Sequence, residues 1–207
     1  MEDHVDTPPE RSPSSATGTR ILTVPNAISV LRLGCVPVFC VLVLGMGNRA
    51  GAAILLGVLG ATDWVDGYLA RRFDQVSELG KILDPAADRL MFLAAVVVMM
   101  VDGSLHAAFG VPMLVREGLV SLVVVVLAGL GARRIDVTFT GKAATFGLMF
   151  ALPFLLLGDS SVGGGLVLRG IGWGLGIPSL VLSYYAAVEY IPRARRALIE
   201  GRAPASS

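Results

Sequence analysis

Four aspartates stand within one stretch of the chain, DWVDGYLARRFDQVSELGKILDPAAD (63–88), and apolar sequence lies on both sides of it. Asp63 and Asp66 are spaced i, i+3, and Asp84 and Asp88 are spaced i, i+4, so each pair shares one face of a helix. A short turn between two such helices would bring all four carboxylates together. Because clustered anions repel one another, and a charge deep in a bilayer costs at least about 2.5 kcal/mol, a compensating cation is expected.

The types of residue around the acids indicate a metal and a phosphate. Carboxylate oxygens bind hard divalent cations, and Mg²⁺ is typically held by a few carboxylates together with substrate phosphates. Two such ions on one phosphate would explain the need for four acids. Gly67 and Ala70 keep one helix face free of bulk, Gly80 adds another small position, and Arg71 offers a planar fork of donors suited to a diphosphate. The stretch therefore predicts a metal–diphosphate site.

Two other interpretations of these residues have to be weighed. Intramembrane acids also form proton relays and ion paths in transporters, and small residues on membrane helices more often serve packing. The acids of a transporter should recur across several helices and depths, whereas these cluster in one stretch beside Arg71. The pattern favours the metal–diphosphate site and leaves a small ion transporter as the alternative from a different class.

The composition indicates the elements that must position these residues. The chain is 54% hydrophobic and only 16% charged, against about 25% charged in an ordinary soluble domain, and its mean hydropathy is +0.72. It therefore resembles a membrane protein, and a net charge of +1 gives no indication of a nucleic-acid partner. Six apolar segments approach the roughly 20 residues that a bilayer crossing needs, and their short connections predict one all-α bundle. The segments are 27–46, 51–70, 80–101, 107–131, 142–158 and 164–190.

Three regions are expected along the chain. Residues 1–20 are polar and contain three prolines, which predicts a disordered tail. Residues 21–192 form the membrane catalytic domain, and residues 193–207 form a basic tail that we expect to lie loose at the membrane surface. Within the sixth segment, Gly172 and Gly176 make a small-xxx-small face, which is typical of helix packing.

The distribution of Lys and Arg predicts the orientation in the membrane. If the N-terminus is inside, only Arg49 and Arg169 fall on the outer face. This asymmetry is a strong positive-inside signal and puts both termini and the acidic stretch on the cytoplasmic side. The inner face then receives Arg11, Arg20, Arg71, Arg72, Lys81, Arg133, Arg134, Lys142, Arg193, Arg195, Arg196 and Arg202.

A family resemblance rests on the acidic stretch and on segments outside it. The stretch matches D-x-x-D-G-x-x-A-R-x8-G-x-x-x-D-x-x-x-D, the signature of the CDP-alcohol phosphatidyltransferases, at every specified position. The segments TVPNAISVLRL, GKILDPAADRL and GKAATFG and the pair Arg116-Glu117 also resemble bacterial glycerol-type members. The resemblance implies six transmembrane helices, a homodimer, and transfer of a phosphatidyl group from CDP-diacylglycerol to an alcohol with release of CMP. It implies a site in the bacterial cytoplasmic membrane, at its inner surface.

The same resemblance implies roles for individual residues. Asp63, Asp66 and Asp84 would be the principal ligands of Mg²⁺ or Mn²⁺, as two ions, and Asp88 would contact the second ion and act as general base on the acceptor hydroxyl. The CDP-binding surface would consist of Asp63, Gly67, Ala70, Arg71 and Gly80.

The acceptor depends on the start of the fifth helix. Members that use glycerol 3-phosphate typically carry GKxKT there, whereas this chain has GKAAT, with Lys142 kept and Ala144 in place of the second lysine. The lost cation favours a monoanionic lipid such as phosphatidylglycerol, which implies cardiolipin synthesis, and glycerol 3-phosphate stays the alternative acceptor. The candidate acceptor-binding residues are Arg116, Arg133, Arg134 and Lys142, although the positive-inside rule alone would also place Arg133 and Arg134 at this surface.

Overall fold

The computed structural model describes residues 24–73, 80–129 and 138–201, and these residues form helices and short connections without a strand. The predicted all-α, six-helix architecture is therefore confirmed. Residues 1–20, which we expected to be a disordered tail, lie outside the described part of the chain. The helices are α1 (Val24–Cys40, continued by a π-helical turn Val41–Gly45), α2 (Arg49–Phe73), α3 (Gly80–Asp102), α4 (Ala107–Gly129), α5 (Phe139–Gly158) and α6 (Gly165–Gly201).

Three stretches of the described helices are long and apolar enough to cross a membrane: Ala107–Val126, Phe139–Gly158 and Gly165–Glu189. Among the described side chains, the first two helices contribute shorter apolar stretches, Ser29–Gly45 and Arg49–Thr62. Three spans thus satisfy the criterion of length and composition, and six full crossings stay a prediction.

The last helix is longer than the apolar pattern predicts. α6 continues beyond residue 190, through Pro192, as far as Gly201. Five of the nine residues 193–201 are Arg or Ala, which are among the strongest helix formers. The segment is helical as far as Gly201, and its place at the membrane surface stays a prediction.

The helices pack in pairs that are not all neighbours in sequence. α5 makes its most extensive contact with α6, α1 packs on α3, and α2 packs on α5. Glycines allow the close approach of α6 to α5: a Cβ atom on Gly172 would lie 2.7 Å from Leu155 Cγ, and one on Gly176 would lie 3.3 Å from Ala151 Cβ. The predicted packing role of this small-xxx-small face is confirmed.

An ion-pair cluster marks one end of the bundle. Arg49 Nε lies 2.8 Å from Asp102 Oδ2, and Arg49 Nη1 lies 3.0 Å from Asp159 Oδ2. Arg169 Nη1 reaches the other oxygen of Asp159 at 3.3 Å. These contacts bring together the start of α2, the end of α3, the end of α5 and the first turns of α6. Because Asp88 precedes Asp102 by about 21 Å along α3, the acidic motif belongs to the opposite half of the bundle.

Candidate functional site

The signature residues lie in the C-terminal half of α2 and the N-terminal half of α3. Asp63 and Asp66 fall in the last turns of α2, and Asp84 and Asp88 fall in the first turns of α3. The predicted helical spacing of each pair therefore holds in the backbone. Asp88 is the member of the motif whose side chain is described. The other predicted metal and CDP-binding side chains lie outside the described part of the structure: Asp63, Asp66, Gly67, Ala70, Arg71, Gly80 and Asp84.

The carboxylate of Asp88 contacts the guanidinium of Arg32, 56 positions earlier in the chain, through Oδ1 and Nη1. Arg32 lies on α1 and Asp88 lies on α3. The two helices pack on each other, and this packing brings the two side chains together. The Arg32 side chain is only 4% exposed, whereas that of Asp88 is 33% exposed. The sequence showed a charge in the first apolar helix without indicating its partner, and the structure supplies that partner.

Asp88 lines a cavity of about 270 Å³ to which all six helices contribute. Its described walls are mostly apolar, and the charged residues among them are Arg32, Asp88, Arg89, Arg116 and Glu117. A cavity with apolar walls and a few convergent polar groups is the usual form of a small-molecule site. The other lining residues are Leu56, Leu59, Met91, Phe92, Val120, Val124, Gly141, Thr145, Met149, Leu152, Ala186 and Ala187.

The charged groups on the α4 side of the cavity form a connected set. Arg116 Nη1 donates to Glu117 Oε2 at 2.7 Å, and Arg89 Nε lies 3.4 Å from Glu117 Oε1. Arg89 Nη1 also donates to Ser121 Oγ at 2.7 Å. Because Arg89 follows Asp88 in the chain, it could either orient Asp88 or extend towards the membrane surface. Its described contacts run to α4 instead, and among the described residues Arg32 is the arginine that contacts Asp88.

Arg116 has an unused donor at this cavity. The residue is 8% exposed, and its Nε is buried without a hydrogen-bond partner among the described residues. A buried N–H without an acceptor costs free energy comparable to a lost hydrogen bond, and this N–H can serve a ligand only if the side chain turns towards the cavity. Among the predicted acceptor-binding residues, Arg116 is the one that lines this cavity.

The GKAAT segment contributes to the cavity through residues that the sequence did not single out. Gly141 and Thr145, one helical turn apart on α5, line the cavity. Lys142 is exposed and is not among the lining residues, and Ala144 is completely buried in the bundle interior. Arg133 and Arg134 lie outside the described residues. The one signal for Thr145 was its place in the segment that resembles the family.

The donor set of the motif fits a hard divalent cation, since all four acids offer carboxylate oxygens. Among the side chains that the structure describes, no group of three or more His, Cys, Asp or Glu is placed to hold an ion. Three of the four motif acids fall outside the side chains so described. The metal site therefore stays a prediction from the spacing of the motif and the chemistry of its donors.

Comparisons with known proteins agree with the signature. The model of the CDP-alcohol phosphatidyltransferase family matches residues 22–185. A Streptomyces coelicolor protein named cardiolipin synthase (CMP-forming) is 38% identical over 182 residues, which cover 86% of this chain and 85% of that protein. A Mycobacterium tuberculosis protein, provisionally named as a cardiolipin synthase, is 39% identical over 175 residues, 84% of this chain and 83% of its own length.

A third relative carries a different name. A Bacillus subtilis protein named CDP-diacylglycerol–glycerol-3-phosphate 3-phosphatidyltransferase is 31% identical over 151 residues, 66% of this chain and 78% of that protein. The family match spans most of the chain and includes the whole acidic motif. The chain belongs to the CDP-alcohol phosphatidyltransferase family and is a membrane enzyme of that class.

Proposed function

We propose that this enzyme transfers the phosphatidyl group of CDP-diacylglycerol to a hydroxyl of phosphatidylglycerol, which forms cardiolipin and releases CMP. The observation that carries the choice of acceptor is the cavity at Asp88, with its apolar walls and the small excess of positive charge among its described lining residues. The acids alone left an ion transporter as an alternative. We do not retain that alternative, because the chain belongs to the phosphatidyltransferase family.

The donor would bind at the acidic motif. Members of this family generally use divalent metal ions, and Asp63, Asp66, Asp84 and Asp88 are the residues that would hold Mg²⁺ or Mn²⁺, as two ions. Bound there, the ions would neutralise the diphosphate and the charge that develops on it. Gly67, Ala70 and Gly80 would leave space for the CDP moiety next to Asp63, and Arg71 would donate to the diphosphate.

Asp88 is proposed as the general base. Its carboxylate takes the proton of the acceptor hydroxyl as the hydroxyl oxygen attacks the phosphorus of the phosphatidyl group. A new P–O bond forms to the acceptor, the P–O bond to the CMP phosphate breaks, and CMP leaves with the bridging oxygen. Asp88 suits this role because it is partly exposed on the cavity wall, where an acceptor hydroxyl can approach it.

The balance of charge in the cavity favours a monoanionic acceptor. Its described lining contains three arginines (Arg32, Arg89 and Arg116) and two carboxylates (Asp88 and Glu117). The net charge of these five side chains is therefore +1. A phosphodiester such as phosphatidylglycerol carries one negative charge, and the guanidinium of Arg116 on the cavity wall supplies donors suited to its oxygens. The apolar walls suit the glycerol backbone and the first methylenes of a lipid better than they suit a small dianion.

The relatives support the same acceptor. The two relatives that are 38% and 39% identical carry cardiolipin synthase names. Glycerol 3-phosphate is the second candidate, because the B. subtilis relative is named for it and because Arg133, Arg134 and Lys142 supply further cations near the start of α5. The two acceptors differ in phosphate charge, which an assay can separate.

We further propose that the enzyme works as a homodimer in the bacterial cytoplasmic membrane, with the motif at the inner face. The excess of Lys and Arg on the motif side of the bundle supports this orientation. The ion-pair cluster at the other end supports it as well, because it holds both of the arginines that were assigned to the outer face, Arg49 and Arg169.

The decisive experiment measures CMP release by the purified full-length protein in mixed micelles with CDP-diacylglycerol and Mg²⁺ or Mn²⁺. Phosphatidylglycerol and glycerol 3-phosphate are supplied in separate reactions, and the lipid product is identified by mass. We expect metal-dependent CMP release and cardiolipin with phosphatidylglycerol. Release with glycerol 3-phosphate alone would overturn the choice of acceptor, and no release with either acceptor would overturn the donor and the reaction.

A further inference from the structure

We propose that Arg32 is a positioning residue for Asp88, and that its guanidinium holds the Asp88 carboxylate in the orientation needed to take the acceptor proton. The inference rests on the proposed role of Asp88 as general base. Arg32 lies 31 positions before the first acid of the motif, in a different helix, and is not part of the signature.

The contact is built by the fold. α1 and α3 pack on each other, which brings Arg32 of the first helix to Asp88 of the third. Nη1 of Arg32 meets Oδ1 of Asp88 directly. A guanidinium presents its donors in one plane with fixed directions, so it restricts the rotation of a carboxylate more than a flexible ammonium does.

Burial distinguishes the roles of the two partners. The Arg32 side chain is 4% exposed, and Ser29, one turn earlier on α1, is 1% exposed, so this part of α1 is enclosed by the bundle. Asp88, with 33% of its side chain exposed, is the partner with the larger accessible surface. An acceptor that enters the cavity therefore has better access to Asp88 than to Arg32, and Arg32 acts on the reaction through Asp88.

The other cavity arginines make different contacts. Arg89, which follows Asp88 in the chain, bonds to Ser121 and Glu117, and Arg116 bonds to Glu117. Both belong to the group on α4 that we assign to the acceptor phosphate. Loss of either should weaken acceptor binding, whereas loss of Arg32 should slow the chemical step.

The test separates these effects in Arg32→Gln and Arg32→Lys. We measure kcat and KM for phosphatidylglycerol, and in parallel the Kd for CDP in the presence of Mn²⁺. The number of CDP-binding sites in that titration also gives the amount of folded protein. For Arg32→Gln we expect kcat per folded enzyme to fall about 100-fold, the loss typical of a misplaced catalytic group. KM and the Kd for CDP should stay within about threefold of wild type, because no substrate contact is removed. Arg32→Lys keeps the positive charge but lacks the planar fork of donors. Its kcat should lie between those of wild type and Arg32→Gln, about tenfold below wild type.

Several outcomes would overturn the inference. A wild-type kcat in Arg32→Gln shows that Asp88 needs no positioning by Arg32. An increase in KM or in the Kd for CDP with kcat preserved shows that Arg32 acts on substrate binding instead of on the chemical step. If Arg32→Gln does not fold, Arg32→Lys carries the test, and wild-type kcat in that variant contradicts a role for the planar guanidinium.

A double variant distinguishes failure of this inference from failure of the proposed function. In Asp88→Asn the charge of Arg32 stays buried without the carboxylate of Asp88. A loss of activity in this variant therefore has two causes to separate, the missing base and the lower stability of the fold. Arg32→Gln/Asp88→Asn removes both charges, and we expect its thermal midpoint to recover relative to Asp88→Asn while turnover stays lost. If the double variant, in which both charges are absent, regains turnover, Asp88 is not the general base. The proposed mechanism is then wrong. An inactive Asp88→Asn beside a fully active Arg32→Gln would overturn only the positioning role.

Discussion

Arg116 and Glu117 are neighbours in the sequence, and their side chains bond to each other within α4, Nη1 to Oε2 at 2.7 Å, with each side chain only 9% exposed. Consecutive residues on a helix point about 100° apart, so the contact depends on both long side chains turning towards the same cavity. Glu117 also meets Arg89 of α3. One carboxylate therefore lies between two guanidinium groups at the place where we put the acceptor phosphate.

Glu117 should set the preference for acceptor charge. Glu117→Gln removes one negative charge beside the two arginines, and a dianionic phosphate gains more from that loss than a monoanionic one. We expect the ratio of kcat/KM for glycerol 3-phosphate to kcat/KM for phosphatidylglycerol to rise about tenfold, which corresponds to about 1.4 kcal/mol. Competition between the two acceptors in one reaction measures this ratio directly, and the ratio is independent of how much of the variant is folded.

Ser121→Ala is the matched control for that experiment. Ser121 lies one turn further along α4 and accepts a hydrogen bond from Arg89, but its removal changes no charge. The ratio of the two acceptors should stay at its wild-type value. An unchanged ratio in Glu117→Gln would show that the acceptor phosphate lies elsewhere.

The sequence predicted the helices and the position of the motif because both depend on local periodicity. Apolar runs of about membrane length predict helices. The i, i+3 and i, i+4 spacing predicts that each pair of acids shares one helix face. The partner of Asp88 was not predictable in this way. Arg32 is 56 positions away, and the pairing depends on α1 packing beside α3 instead of only beside its neighbour α2.

The acceptor site is a second case that the sequence pattern did not predict, and here the residues are neighbours in the chain. The sequence directed attention to Lys142 and Ala144 as members of one segment, but a helix places its successive residues in different surroundings. Gly141 and Thr145 line the cavity, Lys142 is exposed, and Ala144 is completely buried. Which of these faces turns towards the acceptor depends on the packing of α5 against α2 and α6, which no local pattern encodes.

Ala144 should tolerate a lysine poorly. Ala144→Lys would place a long charged side chain at a position with no exposed surface, and overpacking alone costs about 1–3 kcal/mol. We expect a clearly lower thermal midpoint in detergent and no gain in activity with glycerol 3-phosphate. Ala143→Lys, at the exposed neighbouring position, is the control and should unfold close to wild type. A stable Ala144→Lys variant that uses glycerol 3-phosphate would show instead that this position opens onto the acceptor.

The contact between α5 and α6 should be sensitive to a single methyl group. A Cβ atom at Gly172 would lie 2.9 Å from the backbone nitrogen of Leu155 as well as 2.7 Å from its Cγ, so Gly172→Ala must push the helices apart. We expect a loss of about 1–3 kcal/mol, measured as a lower midpoint of thermal unfolding. Gly174 lies on the same helix with nothing within 4 Å of its Cβ position, and Gly174→Ala should be neutral or slightly stabilising. Equal midpoints for the two variants would contradict the close packing at Gly172.

The ion-pair cluster at the far end of the bundle should contribute to stability without affecting catalysis. Arg49 contacts both Asp102 and Asp159 and thereby joins the ends of three helices, whereas Arg169 reaches Asp159 alone and its side chain is 52% exposed. Exposed ion pairs contribute about 0–1 kcal/mol, so Arg169→Gln should leave the thermal midpoint almost unchanged. Arg49→Gln leaves two partly buried carboxylates without their shared cation and should lower the midpoint more. Because the cluster lies about 21 Å along α3 from Asp88, KM and kcat of the folded fraction should match wild type in both variants. A selective loss of turnover in Arg49→Gln would show that the two ends of the bundle are coupled.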